Sequence, residues 1–246
     1  EIAKQLQISR AAVWKGVKTL RSEGYPIDAV TNKGYCLSTA TDILSNQGIQ
    51  KYLAPQCACL DLVVVPEVSC TNLWVREKAH QGALEGCAII ANHQLQGRGR
   101  LGRSFFSPPE TGIYLSLLLR PQQYSAQQAV RITTMAAVAV CEAIEAVSGQ
   151  PAQIKWINDI YVGGKKVCGI LTEASFGLEN GLVEYAVLGV GINVYPPRQG
   201  FPKELESIAG AVFQSPQDDG KNRLAAEFLN RFMDGYTHLE QADYVE

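Results

Sequence analysis

Residues 97–103 read Gly-Arg-Gly-Arg-Leu-Gly-Arg, three guanidiniums and three glycines in seven positions. What flanks this run constrains the fold more than any other feature. Gly97, Gly99 and Gly102 match the spacing of a dinucleotide-binding loop, which requires a strand before it, a helix after it and an acidic residue about 20 positions on. Residues 87–92 supply the strand. The helix is missing: Ser104-Phe105-Phe106-Ser107-Pro108-Pro109 follows, and prolines turn the chain away from helix. There is no Gly-Lys-Ser/Thr either, so both the dinucleotide loop and the Walker-type phosphate loop are excluded. What remains is a loop whose glycines let backbone N–H groups approach a ligand and whose arginines offer forked donors. A small phosphate-bearing anion is the ligand this chemistry suits. A mobile basic surface loop is the plain alternative, disfavoured because clustered guanidiniums repel one another without an anion.

A second candidate site is Lys155-Trp156-Ile157-Asn158-Asp159. Read as one strand over 154–162, it points Lys155, Ile157 and Asp159 one way and Trp156 and Asn158 the other. Ile154, Ile160 and Val162 predict that the strand is substantially buried. A lysine there requires an anionic partner. Asp159 or Glu173 would make it structural; a ligand carboxylate or phosphate would make it functional.

The rest of the chain mixes strands and helices. Residues 60–65, 87–92, 112–119, 154–162, 166–174 and 185–193 read as strands, and 72–81, 126–148 and 222–239 as helices. In the helix over 126–148, Val130, Ala137, Cys141, Ile144 and Val147 are apolar positions. Gly163-Gly164 between two strand-like runs signals a hairpin. Hairpin-linked strands favour an α+β fold with a mainly antiparallel mixed sheet over a doubly wound one. At 246 residues and 46% apolar, the chain can bury one large core and a second, smaller one.

Charge separates the two. Residues 1–37 carry six basic side chains against three acidic ones, a net +3 that leaves −5 for the remainder. Ser9 is a good N-cap, and Val13, Val17 and Leu20 recur on one face of the helix it opens. Arg10, Trp14, Lys15, Lys18 and Arg21 fall toward solvent. Two helices joined by a short break, the second basic, form a helix-turn-helix. A hairpin with Lys33 at its tip and Gly34 at a positive-φ position makes a wing. DNA contacts are expected from Ser9, Arg10, Trp14, Lys15, Lys18 and Lys33; a small helical cap with a solvated face is the alternative. The expected division is a winged helix-turn-helix over 1–40 and a larger domain over 41–246. The overall net charge of −2 excludes a wholly basic nucleic-acid coat and an acidic disordered chain. No run of about 18 apolar residues predicts a membrane span. No leader opens the chain, and Glu1 in place of Met suggests an earlier start. Seven cysteines without Cys-x-x-Cys, and scattered His80, His93 and His238, lack zinc spacing and read as idle thiols of a reducing cytoplasm.

Five ordered motifs together resemble the biotin–protein ligases of the bifunctional type that also represses biotin-synthesis genes. The 97–103 run is similar to that family's Gly-Arg-Gly-Arg-x-Gly-Arg adenylate loop. Residues 155–159 resemble its Lys-Trp-Pro-Asn-Asp, with Ile157 in place of proline. Lys166-Val167-Cys168-Gly169-Ile170-Leu171 and Gly189-Val190-Gly191-Ile192-Asn193 resemble its next two strand motifs, and residues 9–15 its operator-reading helix. The family's Ser-Thr-Asn is here Cys70-Thr71-Asn72.

The resemblance implies a class II synthetase-like catalytic domain that activates biotin with ATP and Mg²⁺ to biotinyl-5′-AMP. It then biotinylates a lysine of the biotin carboxyl carrier protein of acetyl-CoA carboxylase. It implies catalytic roles for Lys155, Arg98 and Arg100, and biotin contacts from Cys70, Thr71, Asn72, Gln94, Arg98, Gly99, Arg100 and Lys155. Adenylate contacts are implied for Gly97, Arg98, Gly99, Arg100, Gly102, Arg103, Lys155, Asn158 and Asn193. No metal ligands are assigned, with Asn158 and Asp159 as candidates. Repression as a ligand-bound homodimer on operator DNA, in the cytoplasm and away from any membrane, is implied as well. So is closure of 97–103 and 195–202 over the adenylate. A helix ahead of Glu1 and a small β-barrel after Glu246 are further expectations. The competing readings are a non-catalytic biotin-sensing repressor and a lipoate or octanoate transferase of related fold.

Overall fold

The computed structural model describes residues 2–22, 25–30, 34–37, 42–121, 124–177 and 181–238. The basic segment forms α1 (Ile2–Gln5), α2 (Arg10–Ser22), β1 (Ile27–Val30) and β2 (Gly34–Leu37). Ser9 Oγ accepts from Ala12 N at 3.1 Å and caps α2. Strands β1 and β2 pair antiparallel, with Gly34 at φ +101°. Val13 and Val17 are half-buried, but Leu20, expected on the same stripe, is 40% exposed. Arg21 is exposed, as expected, and its Nε also donates to Ile27 O at 2.9 Å, tying α2 to β1. Lys33 and the boundary near residue 40 lie outside the described residues.

Thereafter come α3 (Asn46–Gln50), β3 (Asp61–Val65), α4 (Thr71–His80), β4 (Cys87–Ala91), β5 (Gly112–Leu119) and α5 (Ala126–Ser148). They are followed by β6 (Ala152–Lys155), β7 (Asp159–Val162), β8 (Lys165–Phe176), β9 (Val183–Asn193), α6 (Lys203–Glu206) and α7 (Gly220–His238). Strands β3 to β9 form one seven-stranded sheet in the order β3-β4-β5-β9-β8-β7-β6. Only β3–β4 is parallel, so the expected mainly antiparallel mixed sheet is what forms. Capping fixes α5 at both ends: Ser125 and Gln128 make a reciprocal box, and Gly149 takes the left-handed conformation at φ +69°.

Helices cover both faces of the sheet, which explains why its strands read as unbroken apolar runs. On β5, Ile113, Leu115, Leu117 and Leu119 join the main core with α5 and α7, whereas Leu118 faces α4 with Val75, Ile89 and Val187. The buried side of α5 runs through Ala129, Ile132, Ala136, Val140 and Ile144, and Val130 lies off it, 46% exposed.

One expectation fails in a way that matters. Residues 154–162 are not one strand but the hairpin β6–β7, in which Lys155 opposes Asp159. The reversal over Trp156–Asn158 contains no glycine or proline, so alternation carried the strand through it. Asn158 holds the turn instead: its Nδ2 donates to Ile170 O at 3.0 Å, and Ile170 N donates to Asn158 O at 2.9 Å. A cis peptide bond joins Trp156 and Ile157. Strand β6 is therefore an exposed edge. Ile154 and Trp156 are 41% and 77% exposed, and Lys155 is exposed rather than interior. Among the described residues, no helix is long and apolar enough to cross a membrane.

Candidate active site

The site lies on the α4 face of the sheet, where side chains are removed rather than added. Gly169 on β8 opposes Gly191 on β9, and Leu171 opposes Gly189. A Cβ on Gly191 would lie 2.5 Å from Phe105 Cε1, and one on Gly169 3.0 Å from Phe105 Cε2. A Cβ on Gly189 would lie 2.9 Å from Asn72 Cγ. Glycine at these positions thus admits the Phe105 ring and the Asn72 carboxamide against the strands. The pocket beside them is lined by Cys70, Thr71, Asn72, Gln94, Arg98 and Phe105, among others.

The first turn of α4 supplies the polar groups. Cys70 occupies its N-cap but makes no side-chain cap hydrogen bond, in keeping with a thiol's weakness as an acceptor. Thr71 and Asn72 are buried. Thr71 N donates to Gln94 Oε1 at 2.8 Å, and Thr71 Oγ1 lies 3.0 Å from the same oxygen. Ser116 Oγ sits 2.8 Å from Thr71 Oγ1 and 2.6 Å from Asn72 Oδ1. Asn72 Nδ2 donates to Glu173 Oε2 at 2.8 Å. Gln94 Nε2 donates to Ser107 Oγ at 3.1 Å, and that hydroxyl donates to Phe105 O at 2.9 Å. Three residues of this network were not singled out from sequence, Phe105, Ser107 and Ser116, and Glu173 was considered only as a partner of Lys155. Ser116 had a legible signal, as the one small polar residue within Gly-Ile-Tyr-Leu-Ser-Leu-Leu-Leu; it is fully buried.

The arginine loop begins at the edge of this network. Phe105 N donates to Gly97 O at 2.8 Å and Gly99 N to Arg103 O at 2.7 Å, so the segment doubles back on itself. A single 3₁₀ turn spans Arg100–Gly102, with Leu101 at φ +57° and Gly102 at φ +73°. Leu101, Arg98 and Arg103 are exposed, and Arg98 also lines the pocket. Arg100 Nη1 donates to Asn158 Oδ1 at 3.0 Å, which brings this loop onto the β6–β7 turn.

Lys155 stands beside that turn, with its Nζ 5.5 Å from the centre of the Tyr161 ring. Neither carboxylate considered as its structural partner holds it. Asp159 pairs with Lys166 at 2.6 Å, and Glu173 binds Asn72. Asn193, at the end of β9, commits its Nδ2 to Gly210 O at 3.1 Å. Within 195–202, Phe201 meets Phe106 edge-on at 6.5 Å, and the Tyr195 hydroxyl donates to Asp42, whose carboxyl burial raises above its ordinary value.

A metal finds no ready cage here. Among the described residues no three His, Cys, Asp or Glu side chains converge. Asp159 is ion-paired, and both ends of the Asn158 amide are engaged. These residues do not fit a protein-held Mg²⁺. Five of the seven cysteines are buried; Cys36 and Cys59 are exposed.

A glycine-cleared pocket beside a doubled-back arginine loop, on a largely antiparallel sheet, has close counterparts. The chain belongs to the biotin/lipoate A/B protein ligase family, which residues 68–193 match, and residues 1–36 match an HTH domain. It is similar to the bifunctional ligase/repressor BirA of Bacillus spizizenii, with 40% identity over 215 residues that cover 87% of this chain and 65% of that protein. To BirA of Escherichia coli it is 32% identical over 246 residues, covering 98% of this chain and 72% of that protein. The chain thus spans a little under two thirds of the Bacillus relative's length. Among solved structures it resembles the biotin protein ligase from Aquifex aeolicus in complex with biotin and ATP, at TM-score 0.60 and 28% identity, covering 73% of this chain and 72% of that one.

Proposed function

We propose that this chain activates biotin with ATP to biotinyl-5′-AMP and transfers the biotinyl group to a lysine of a biotin carboxyl carrier protein. In this reading its first 40 residues bind operator DNA and repress transcription in response to biotin, and residues 41–246 carry the catalysis. One observation carries the proposal: the 3.0 Å contact from Arg100 to Asn158, which joins the arginine loop, whose Arg98 lines the glycine-cleared pocket, to the turn that follows Lys155.

The chemistry follows from that arrangement. A biotin carboxylate oxygen attacks the α-phosphorus of ATP, the bond to the β-phosphate bridge breaks, and pyrophosphate leaves. A carrier lysine amine then attacks the acyl carbon, loses its proton and displaces AMP. Catalysis rests on orientation and charge stabilisation. Arg98, Arg100 and Lys155 neutralise the oxygens that gain charge, and Lys155's exposure leaves it free to swing onto them. Cys70, Thr71, Asn72 and Gln94 take the ureido ring, and Gly99 the tail. Gly97, Gly102, Arg103, Asn158 and Asn193 complete the adenylate contacts. Mg²⁺ would accompany ATP and would help neutralise its phosphates, and among the described residues none is assigned to hold it. Ser9, Arg10, Trp14, Lys15, Lys18 and Lys33 face DNA. Trp14 and Lys18 already pair, with Lys18 Nζ 5.6 Å from the indole centre. The liganded form is a homodimer in the cytoplasm.

Biotin-dependent exchange of labelled pyrophosphate into ATP tests this directly. Exchange is expected. Biotin binding without exchange favours the non-catalytic sensor, and octanoate- or lipoate-dependent activity favours the related transferases. The buried polar cluster argues against the latter, since a saturated acyl chain leaves it unpaired.

A further inference from the structure

Resting on the biotin reading of the pocket, we infer that Glu173 and Ser116 are positioning residues that set the hydrogen-bond polarity of the ring-binding groups. Neither lines the pocket; both act through Asn72 and Thr71.

Counting hydrogens shows how. Asn72 Nδ2 has two, and its partners are Glu173 Oε2 at 2.8 Å and Leu171 O at 3.4 Å. With the amide nitrogen held there, Oδ1 is turned to Ser116 Oγ at 2.6 Å. The serine hydroxyl has one hydrogen, and the shorter contact to Asn72 takes it. Only lone pairs remain on Ser116 toward Thr71 Oγ1, 2.8 Å away, so Thr71's hydrogen fills that contact. Thr71 Oγ1 then has none for Gln94 Oε1 at 3.0 Å. Three oxygen–oxygen contacts share two hydroxyl hydrogens, and the shortfall falls at the pocket wall. Thr71 Oγ1 and Gln94 Oε1 therefore present acceptors that demand an N–H from the ligand, which a cyclic urea supplies and a hydrocarbon head group does not.

Glu173 keeps the chain in this sense. Without it the Asn72 amide can turn over and donate to Ser116. Ser116 then donates to Thr71 and Thr71 to Gln94, and the chain closes on itself with nothing left for the ligand. Gly189 is part of the same device, because a Cβ there would lie 3.0 Å from Asn72 Nδ2.

The test is calorimetry of biotin alone, with pyrophosphate exchange as the second readout, on the full chain. Glu173→Leu is expected to weaken biotin binding about tenfold, the scale of one buried donor losing its partner. KM for ATP and the exchange rate at saturating biotin should stay within about twofold, since neither residue contacts the adenylate loop and the Thr71 N to Gln94 bond that leads toward it is kept in both variants. Glu173→Gln keeps an acceptor in place and should recover most of the affinity. In an Asn72→Ala background, Glu173→Leu should add little, because its effect passes through that amide. Melting temperatures of all variants separate misfolding from repositioning, and Ser116→Ala repeats the affinity test independently. Unchanged biotin affinity in both Glu173→Leu and Ser116→Ala would overturn the assignment while leaving the ligase reading intact. So would full additivity with Asn72→Ala. A wild-type chain that binds no biotin would overturn the ligase reading and this assignment together.

Discussion

Gly189→Ala is the most direct probe of how the pocket is built. The added methyl would sit 2.9 Å from Asn72 Cγ and 3.0 Å from Asn72 Nδ2. The obstacle is not the end of a flexible chain. The carboxamide is buried and pinned by Glu173, Leu171 O and Ser116. The strand cannot retreat either, because Gly189 pairs with Ser116 on one side and Leu171 on the other. Overpacking at such a position costs about 1–3 kcal/mol. For a domain of this size each kcal/mol lowers the melting temperature by about 2–4 °C, so a fall of about 2–12 °C is expected by calorimetry or circular dichroism. The clash has one partner, which makes the reasoning separable from a general intolerance of the strand. Asn72→Ala alone should destabilise by leaving Glu173 and Ser116 short of a partner. In that background Gly189→Ala should cost far less than in the wild type, a coupling of about 1 kcal/mol or more. A single variant that melts within 1 °C of wild type, or a pair of substitutions whose costs simply add, would refute this account of the glycine.

Three further outcomes follow from exposure and charge. Lys155→Ala is expected to change stability by no more than about 0.5 kcal/mol, as for other exposed sites, yet to slow adenylate formation about 10²–10³-fold; single-turnover formation of biotinyl-adenylate checks it, and an unchanged rate removes Lys155 from the mechanism. In the native protein at pH 8, a brief maleimide pulse should label Cys36 and Cys59 first. Burial raises the Cys57 and Cys141 thiols to about 11 and Cys168 further still, so intact-mass spectrometry showing rapid reaction beyond two sites would contradict the burial described. Operator binding should weaken steeply between low and moderate salt, as expected for phosphate contacts from α2; a flat salt response, measured by fluorescence anisotropy, would count against the helix-turn-helix reading.

Legibility from sequence differed with the kind of constraint. The ends of α5 were readable because Ser125 and Gly149 are chemical stops, and β5 because eight residues without a charge between polar flanks leave few alternatives. The Ser9 cap and the Gly34 turn were readable for the same local reason. The β6–β7 reversal was not, because its turn is held from outside by β8 through Asn158 and Ile170, and no local residue signals that. Treating it as one strand placed Lys155 in the interior and left a structural carboxylate, Asp159 or Glu173, as one of two open partners; both are engaged elsewhere. The same blindness to long-range pairing hid the true partner of Glu173. Its partner Asn72 is 101 positions away in sequence, and only the placement of β8 beside α4's first turn joins them.

That pairing also connects two motifs that look independent along the chain. The hydrogen bonds that begin at Glu173 run through Asn72, Ser116 and Thr71, pass by the Thr71 backbone N–H to Gln94, continue to Ser107, and end on Phe105 O. Phe105 N in turn donates to Gly97 O, the first residue of the arginine loop. The base of that loop is thereby tied to Gln94 and Phe105, which line the pocket, while its tip at Leu101 is 91% exposed and Arg100 bonds the sheet's edge turn. A loop anchored at its root and free at its tip can exchange one contact for another without disturbing the pocket. The Arg100–Asn158 bond is the contact most readily surrendered, because both groups are polar, partly solvated and single-bonded to each other. An anion arriving between them would replace one neutral acceptor with charged oxygens, a stronger partner for guanidinium. On the proposed reading, the polar groups of the pocket are set by buried bonds, and an anion's own charge would complete the contacts of the arginine loop.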